Sequence, residues 1–203
     1  MLPVNGWRDD KGVCRRLHSW RTTRIDRTKA VSMPKAPAKK AAKKPAPKNP
    51  LPKRRPGEPS YWLMKSEPDA FSWNNLKAKG AAGEPWTGVR NFLARNNMKA
   101  MQVGDLGFFY HSNIGLDVVG ILKVIALAHP DPSDDTGKWE CVDVIAVADV
   151  PKPVSLAAIK ETPSLSKMSL VTSMRLSVQP VTPQEWRIVC KMGGIDPKSL
   201  TPV

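Results

Sequence analysis

Trp86, Arg90 and Asn91 place an aromatic plane, a planar cation and an amide within one short stretch of chain. Trp86 sits in Glu84-Pro85-Trp86-Thr87-Gly88, which reads as a loop, so burial on a helix face is not imposed on its indole. Further on, Tyr110-His111-Ser112-Asn113 sets four hydrogen-bonding side chains at the end of an apolar strand. Groups of this kind around one aromatic face suit a flat heterocycle, stacked on the face and hydrogen-bonded at its edge. A loop tryptophan also serves as a packing plug, and the residues alone leave both readings open.

Catalytic arrangements fit less well. Gly137-Lys138 is followed by Trp139 and lacks the upstream glycine of a phosphate loop. Asp131 to Gly137 imitates a calcium loop, but its glycine comes one position late and position twelve is Val142, so an acidic turn is expected. His111 and Ser112 are neighbours on a strand and point to opposite faces, which prevents them from acting as base and nucleophile for each other. His129, before Pro130, reads as a solvated turn residue, and Glu67 and Asp69 as caps for the helix that follows. Cys14, Cys141 and Cys190 have no metal-ligand spacing, and their odd number argues for a reducing compartment and against a disulfide scaffold. Neither a metal nor a cofactor is expected. No stretch approaches the ~20 apolar residues of a membrane span.

The elements that would position these groups begin at Tyr61. A strand is expected over 61–65, helices over 71–79 and 91–99, and strands over 106–111, 118–128 and 139–150. A short helix with Ser155 as its cap follows, then a strand over 176–181. Thr182-Pro183-Gln184-Glu185 forms a capping box for a last helix that stops at Gly193-Gly194. Most of Trp62, Trp73, Trp86, Trp139 and Trp186 should be core. This pattern predicts an α+β domain over 61–203 with a strongly curved sheet or small barrel and short flanking helices.

Residues 1–60 are different. They hold 17 Lys/Arg against 4 Asp/Glu, whereas 61–203 hold 15 against 14, so the formal net charge of +14 belongs almost wholly to the first segment. Residues 33–60 are rich in Lys, Ala and Pro, and have too few apolar groups to offset their ordering entropy. A disordered basic tail is expected there, with Lys39, Lys40, Lys43, Lys44, Lys48, Lys53, Arg54 and Arg55 available to neutralise phosphates without reading sequence. Residues 1–32 read as an extension ahead of a start at Met33.

Tyr61-Trp62-Leu63-Met64-Lys65-Ser66-Glu67-Pro68, Trp86-Thr87-Gly88-Val89-Arg90-Asn91 and Phe109-Tyr110-His111-Ser112-Asn113 resemble blocks of the EVE domain family. Met101-Gln102-Val103-Gly104-Asp105 and Arg175-Leu176-Ser177-Val178-Gln179-Pro180-Val181 follow the same family order, so the resemblance spans about 61–192. It implies a PUA-like fold, related to YTH domains, that binds nucleic acid carrying a modified base. By that resemblance a base such as 5-methyl- or 5-hydroxymethylcytosine is flipped into a pocket, with Trp86 as the stacking wall. Lys65, Ser66, His111, Ser112 and Asn113 would line its mouth, and Ser177 and Gln179, two apart on one strand face, would point into it. Arg90, Asn91 and Arg175 would hold phosphate or backbone. The segment between the third and fourth strands, often longer and rich in Tyr and Asp in the family, shrinks here to His129–Lys138.

The expected partner is therefore modified DNA or RNA, bound without turnover by a monomer in the cytoplasm, on the nucleoid or in the nucleus. A modified-RNA binder near translation is a second reading, and an enzyme using Lys65, Glu67 or His111 is a third. Removing residues 1–60 should flatten the dependence of binding on salt while leaving the base preference intact. Dissociation constants measured across a salt series check this, and loss of the preference as well would refute the division of labour.

Overall fold

The computed structural model describes residues 60–200, and the basic tail expected over 1–60 lies, but for Ser60, outside them. Six strands form one sheet in the order β2-β5-β4-β3-β1-β6. In chain order, β1 (Tyr61–Ser66) and α1 (Trp73–Lys79) are followed by β2 (Glu84–Pro85), α2 (Phe92–Lys99) and β3 (Leu106–His111). Then come β4 (Asp117–Pro130), β5 (Glu140–Ser155), α3 (Leu156–Glu161) and α4 (Ser169–Thr172), and the fold ends with β6 (Val178–Val181) and α5 (Pro183–Met192).

β1 runs parallel to β3 and antiparallel to β6, and the remaining pairs are antiparallel. Alternation along β1 and β3 sends side chains to two separate cores. Leu63, Phe108 and Tyr110 join Val181 and Trp186 on one face, covered by α3, α4 and α5. Trp62, Met64 and Phe109 join Trp73, Trp86 and Met98 on the other, covered by α1 and α2. A strand buried on both faces reads as a continuous apolar run, which is what Tyr61-Trp62-Leu63-Met64 is. The long β4 and β5 are interrupted by four register shifts, and these bulges curve the sheet around the second core. Gly120 of β4 permits one close approach, because a Cβ there would sit 2.3 Å from the Trp73 indole.

Local signals account for most ends. Thr182 and Glu185 close the capping box of α5, and Ser155 caps α3 through the Ala158 N–H. Elsewhere tertiary contacts moved the expected boundaries. The cap of α1 is Ser72, not Glu67 or Asp69; the Glu67 carbonyl instead accepts from the Ala70 and Phe71 amides in a turn. β4 runs on through His129, whose Nε2 lies 2.8 Å from Asp143 Oδ1 on β5, so this imidazole is a cross-strand partner and not a solvated turn residue. The last strand begins at Val178 because Gln179 draws the chain before it into a turn.

Asp105, fully buried ahead of β3, joins the start of the fold to its middle. Its carboxylate accepts from the Ser60 amide (2.9 Å), Trp62 Nε1 (3.0 Å) and the Gln102 amide (3.0 Å). Asp105→Ala would leave three donors without that acceptor, so a loss of about 3 kcal/mol is expected, read from urea unfolding of the folded domain.

Candidate nucleic-acid interface

A hollow of about 420 Å³ opens where β1 ends, bordered by Lys65, Ser66, Phe71, Trp86, Arg90 and Ser177 among others. Its size lies within the ~300–1,000 Å³ typical of small-molecule sites. Each wall has a structural cause. Lys65 and Ser66 arrive on β1, and the Lys65 amide donates to the Ser177 carbonyl at 2.9 Å, which draws the chain before β6 to the same place. Ser66 Oγ donates to the Phe71 carbonyl at 2.6 Å and keeps its lone pairs for another donor. Trp86 follows β2; its amide donates to the Val142 carbonyl at 2.8 Å, and its ring meets Phe109 edge-on at 5.5 Å. Only 7% of Trp86 is exposed, so packing holds the indole in place while it borders the cavity.

The Trp86–Arg90 loop is held from a distance. Asp131, buried beyond the end of β4, accepts from the Gly88 amide (3.0 Å) and from Arg90 Nη1 (2.7 Å), and also from Ser133. Gly88 has φ +78°, a left-handed conformation that favours glycine, and this turns its N–H toward the carboxylate. Burial alone would raise the Asp131 pKa, but the bonds from Ser133, Arg90 and Gly88 outweigh it and hold the group at about 2. Arg90 Nη2 donates to Ser133 Oγ and carbonyl as well, so much of this guanidinium is occupied within the fold.

Lys65 is the electrostatic feature of the cavity. Burial pushes its ammonium down to about 8, and no carboxylate pairs with it among the described residues. Its Nζ donates to the Met174 carbonyl at 2.9 Å and lies 5.8 Å from the Tyr110 ring centroid. Glu84, also at the cavity, is paired with Lys79 at 2.8 Å.

The sequence-derived candidates divide accordingly. Lys65, Ser66, Trp86, Arg90 and Ser177 are brought together at the cavity. His111, Ser112 and Asn113 do not border it: His111 Nε2 accepts the Trp73 amide at 3.2 Å, and the Ser112 amide donates to the Ser66 carbonyl. Burial lowers the His111 pKa, against an opposing pull from Asp117, which suits an imidazole acting as acceptor. Gln179 is fully buried and donates to the Ser173 and Leu176 carbonyls, so strand alternation does not carry it to the cavity beside Ser177. Asn91 caps α2 and, with Arg175, borders a neighbouring groove. The tail lysines and arginines lie outside the described residues. Sequence reasoning missed Phe71, Glu84 and Thr87 among others; the last two lie within two positions of Trp86 in its loop, and that proximity was the available signal. No such signal pointed to Asp131.

Among the described residues no cluster of three metal-ligating side chains forms, and no helix is long and apolar enough to cross a membrane. Cys141 is buried, and burial, followed by Asp131 and Asp143, pushes its thiol up to about 11.

Residues 60–192 match the EVE domain. The chain belongs to the EVE domain family. Its architecture is the expected α+β, PUA-like one, shared with a crystal structure of an Agrobacterium tumefaciens protein that is 61% identical, with a TM-score of 0.67 over 71% of this chain and 99% of that one. Human thymocyte nuclear protein 1 is 35% identical over 170 residues, 68% of this chain and 76% of the human protein. The human THYN1 protein in complex with 5-methylcytosine-containing DNA superposes with a TM-score of 0.62 at 35% identity, covering 68% of this chain and 99% of that one. The Trp86 wall and the Asp131 brace therefore lie within the EVE domain match.

Asp131→Ala should release the Gly88–Arg90 loop and cost about 2 kcal/mol, the scale of hydrogen bonds to a charged group. Fluorine NMR of 5-fluorotryptophan-labelled protein should show the Trp86 resonance shifted or broadened, with that of Trp186 in the other core unmoved.

Proposed function

We propose that this EVE domain is a non-enzymatic reader of a modified base, with 5-methylcytosine as its ligand, taken singly into the cavity at the end of β1. The observation that carries the reading is the meeting of Trp86, Lys65, Ser66 and Ser177 in one hollow of about 420 Å³. The complex of human THYN1 with 5-methylcytosine-containing DNA supports the choice of ligand. Swinging a base out of its stack costs a few kcal/mol. Stacking on an aromatic wall returns ~1–3 kcal/mol per base, and hydrogen bonds at the base edge supply the remainder.

Each group then has a role. Trp86 offers the face. Lys65 donates to a carbonyl acceptor on the base edge, and Ser66 Oγ accepts from an exocyclic amine, because its own hydrogen is already given to Phe71. Ser177 closes the mouth. Arg90 keeps the wall in register through Asp131. The near balance of charge over 61–203 makes general affinity for phosphate low, and the basic residues ahead of Ser60 supply it.

The test is equilibrium binding of the full chain to matched strands, labelled with fluorophore, carrying cytosine, 5-methylcytosine or 5-hydroxymethylcytosine, in DNA and in RNA. The 5-methylcytosine DNA strand should bind at least about tenfold tighter than its unmodified counterpart, a difference of about 1.4 kcal/mol. Lys65→Gln, which leaves both cores untouched, should remove most of that preference, and Trp86→Phe should weaken it. Equal binding of all strands would overturn the reading.

A further inference from the structure

A second hollow of about 430 Å³ lies beside the first, between the start of α2 and residues 171–176. Residues consecutive in the chain border the two on each side. Arg90 borders the cavity and Asn91 the groove, while Ser177 borders the cavity and Leu176 the groove.

The groove combines exposed apolar groups with an unneutralised cation. Leu93 and Met174 border it at 44% and 64% exposure. Arg175 borders it too, and among the described residues its guanidinium pairs with no carboxylate. Among the described residues no acidic side chain lines the groove.

These exposed groups sit on a braced turn. Gln179 Nε2 donates to the carbonyls of Ser173 and Leu176, each at 2.9 Å, so both ends of the turn are tied to β6. Lys65 Nζ, from the cavity side, donates to the Met174 carbonyl between them. On the opposite bank, Asn91 Oδ1 accepts from the Leu93 and Ala94 amides. Met174 and Arg175 are thus presented to solvent on a turn held by Gln179 and Lys65, at the rim of a cavity whose own lysine takes part in the bracing.

We infer that this groove is a second nucleotide subsite, which takes the nucleotide adjoining the base in the cavity, with Met174 and Leu93 against its base and Arg175 on the phosphate between the two. An apolar side chain beside an emptied place in a base stack can fill it, as wedge residues do in proteins that deform nucleic acid. Lys65 couples the two subsites, because it borders the first and positions the main chain of the second. The inference rests on the reading of the cavity as a base pocket.

The experiment compares 5-methyl-dCMP with a trinucleotide carrying 5-methylcytosine at its centre, using the full chain at elevated salt so that general phosphate attraction is screened. The trinucleotide should bind at least about tenfold tighter than the mononucleotide. Met174→Ser and Arg175→Gln should each reduce that gain severalfold, and the double variant should abolish it, with the mononucleotide affinity reporting that the cavity is intact. If the gain persists in the double variant, or the trinucleotide gains nothing while the mononucleotide binds, the groove is not a subsite and the cavity reading stands. If neither probe binds, the cavity reading fails and the subsite fails with it.

Discussion

The fold depends on β1 being buried on both faces. Its parallel pairing with β3 and antiparallel pairing with β6 leave no edge exposed, and its alternating side chains divide the interior into two cores. A strand so constrained cannot slip by one residue without exchanging Trp62 and Met64 for Leu63, and this rigidity determines where the strand stops. Past the buried run Trp62-Leu63-Met64, Lys65 and Ser66 escape full burial, and the cavity opens there. Asp105 secures the other end by collecting donors from Ser60, Trp62 and Gln102.

Around that fixed point the walls come from segments far apart in the chain, each anchored by buried polar groups. Asp131 holds the Trp86 loop, Gln179 holds the 173–176 turn, and Asn97 Nδ2 donates to the Val178 carbonyl to join α2 to β6. Such groups are costly to bury and favourable only when their partners are in place, so they favour a single arrangement of the walls. A site organised in advance in this way spends less binding energy on ordering itself. Lys65 runs against stability: a half-buried ammonium that no carboxylate among the described residues pairs with is tolerated where a ligand can use it.

Short range and long range therefore contribute differently to recognition in the proposed reader. The cavity and groove offer shape, an aromatic face and a few directed hydrogen bonds, which discriminate among bases. In the proposed division of labour the charge excess ahead of Ser60 would act through counterion release, which does not discriminate. On that proposal the near-neutral EVE domain leaves general phosphate affinity to the basic segment.

The sequence by itself determined the α+β class, the strands around Tyr61, Leu106, Val118 and Cys141, and the caps at Ser155 and Thr182. Alternation, turn residues and capping hydrogen bonds all act within a few positions of the chain, so they can be read locally. It also marked the Trp86–Arg90 loop as a candidate, because polar groups beside a loop aromatic stand out against an apolar background, whereas Lys65 and Ser66 became candidates through the family resemblance. Only the tertiary structure decided that His111 is turned to the Trp73 amide, that Gln179 lies inward while Ser177 meets the cavity, and that Asp131 governs a loop more than forty positions earlier. Those outcomes depend on strand register and on which distant donor reaches an acceptor first, and a buried polar group finds its partner only after the sheet has brought remote segments together.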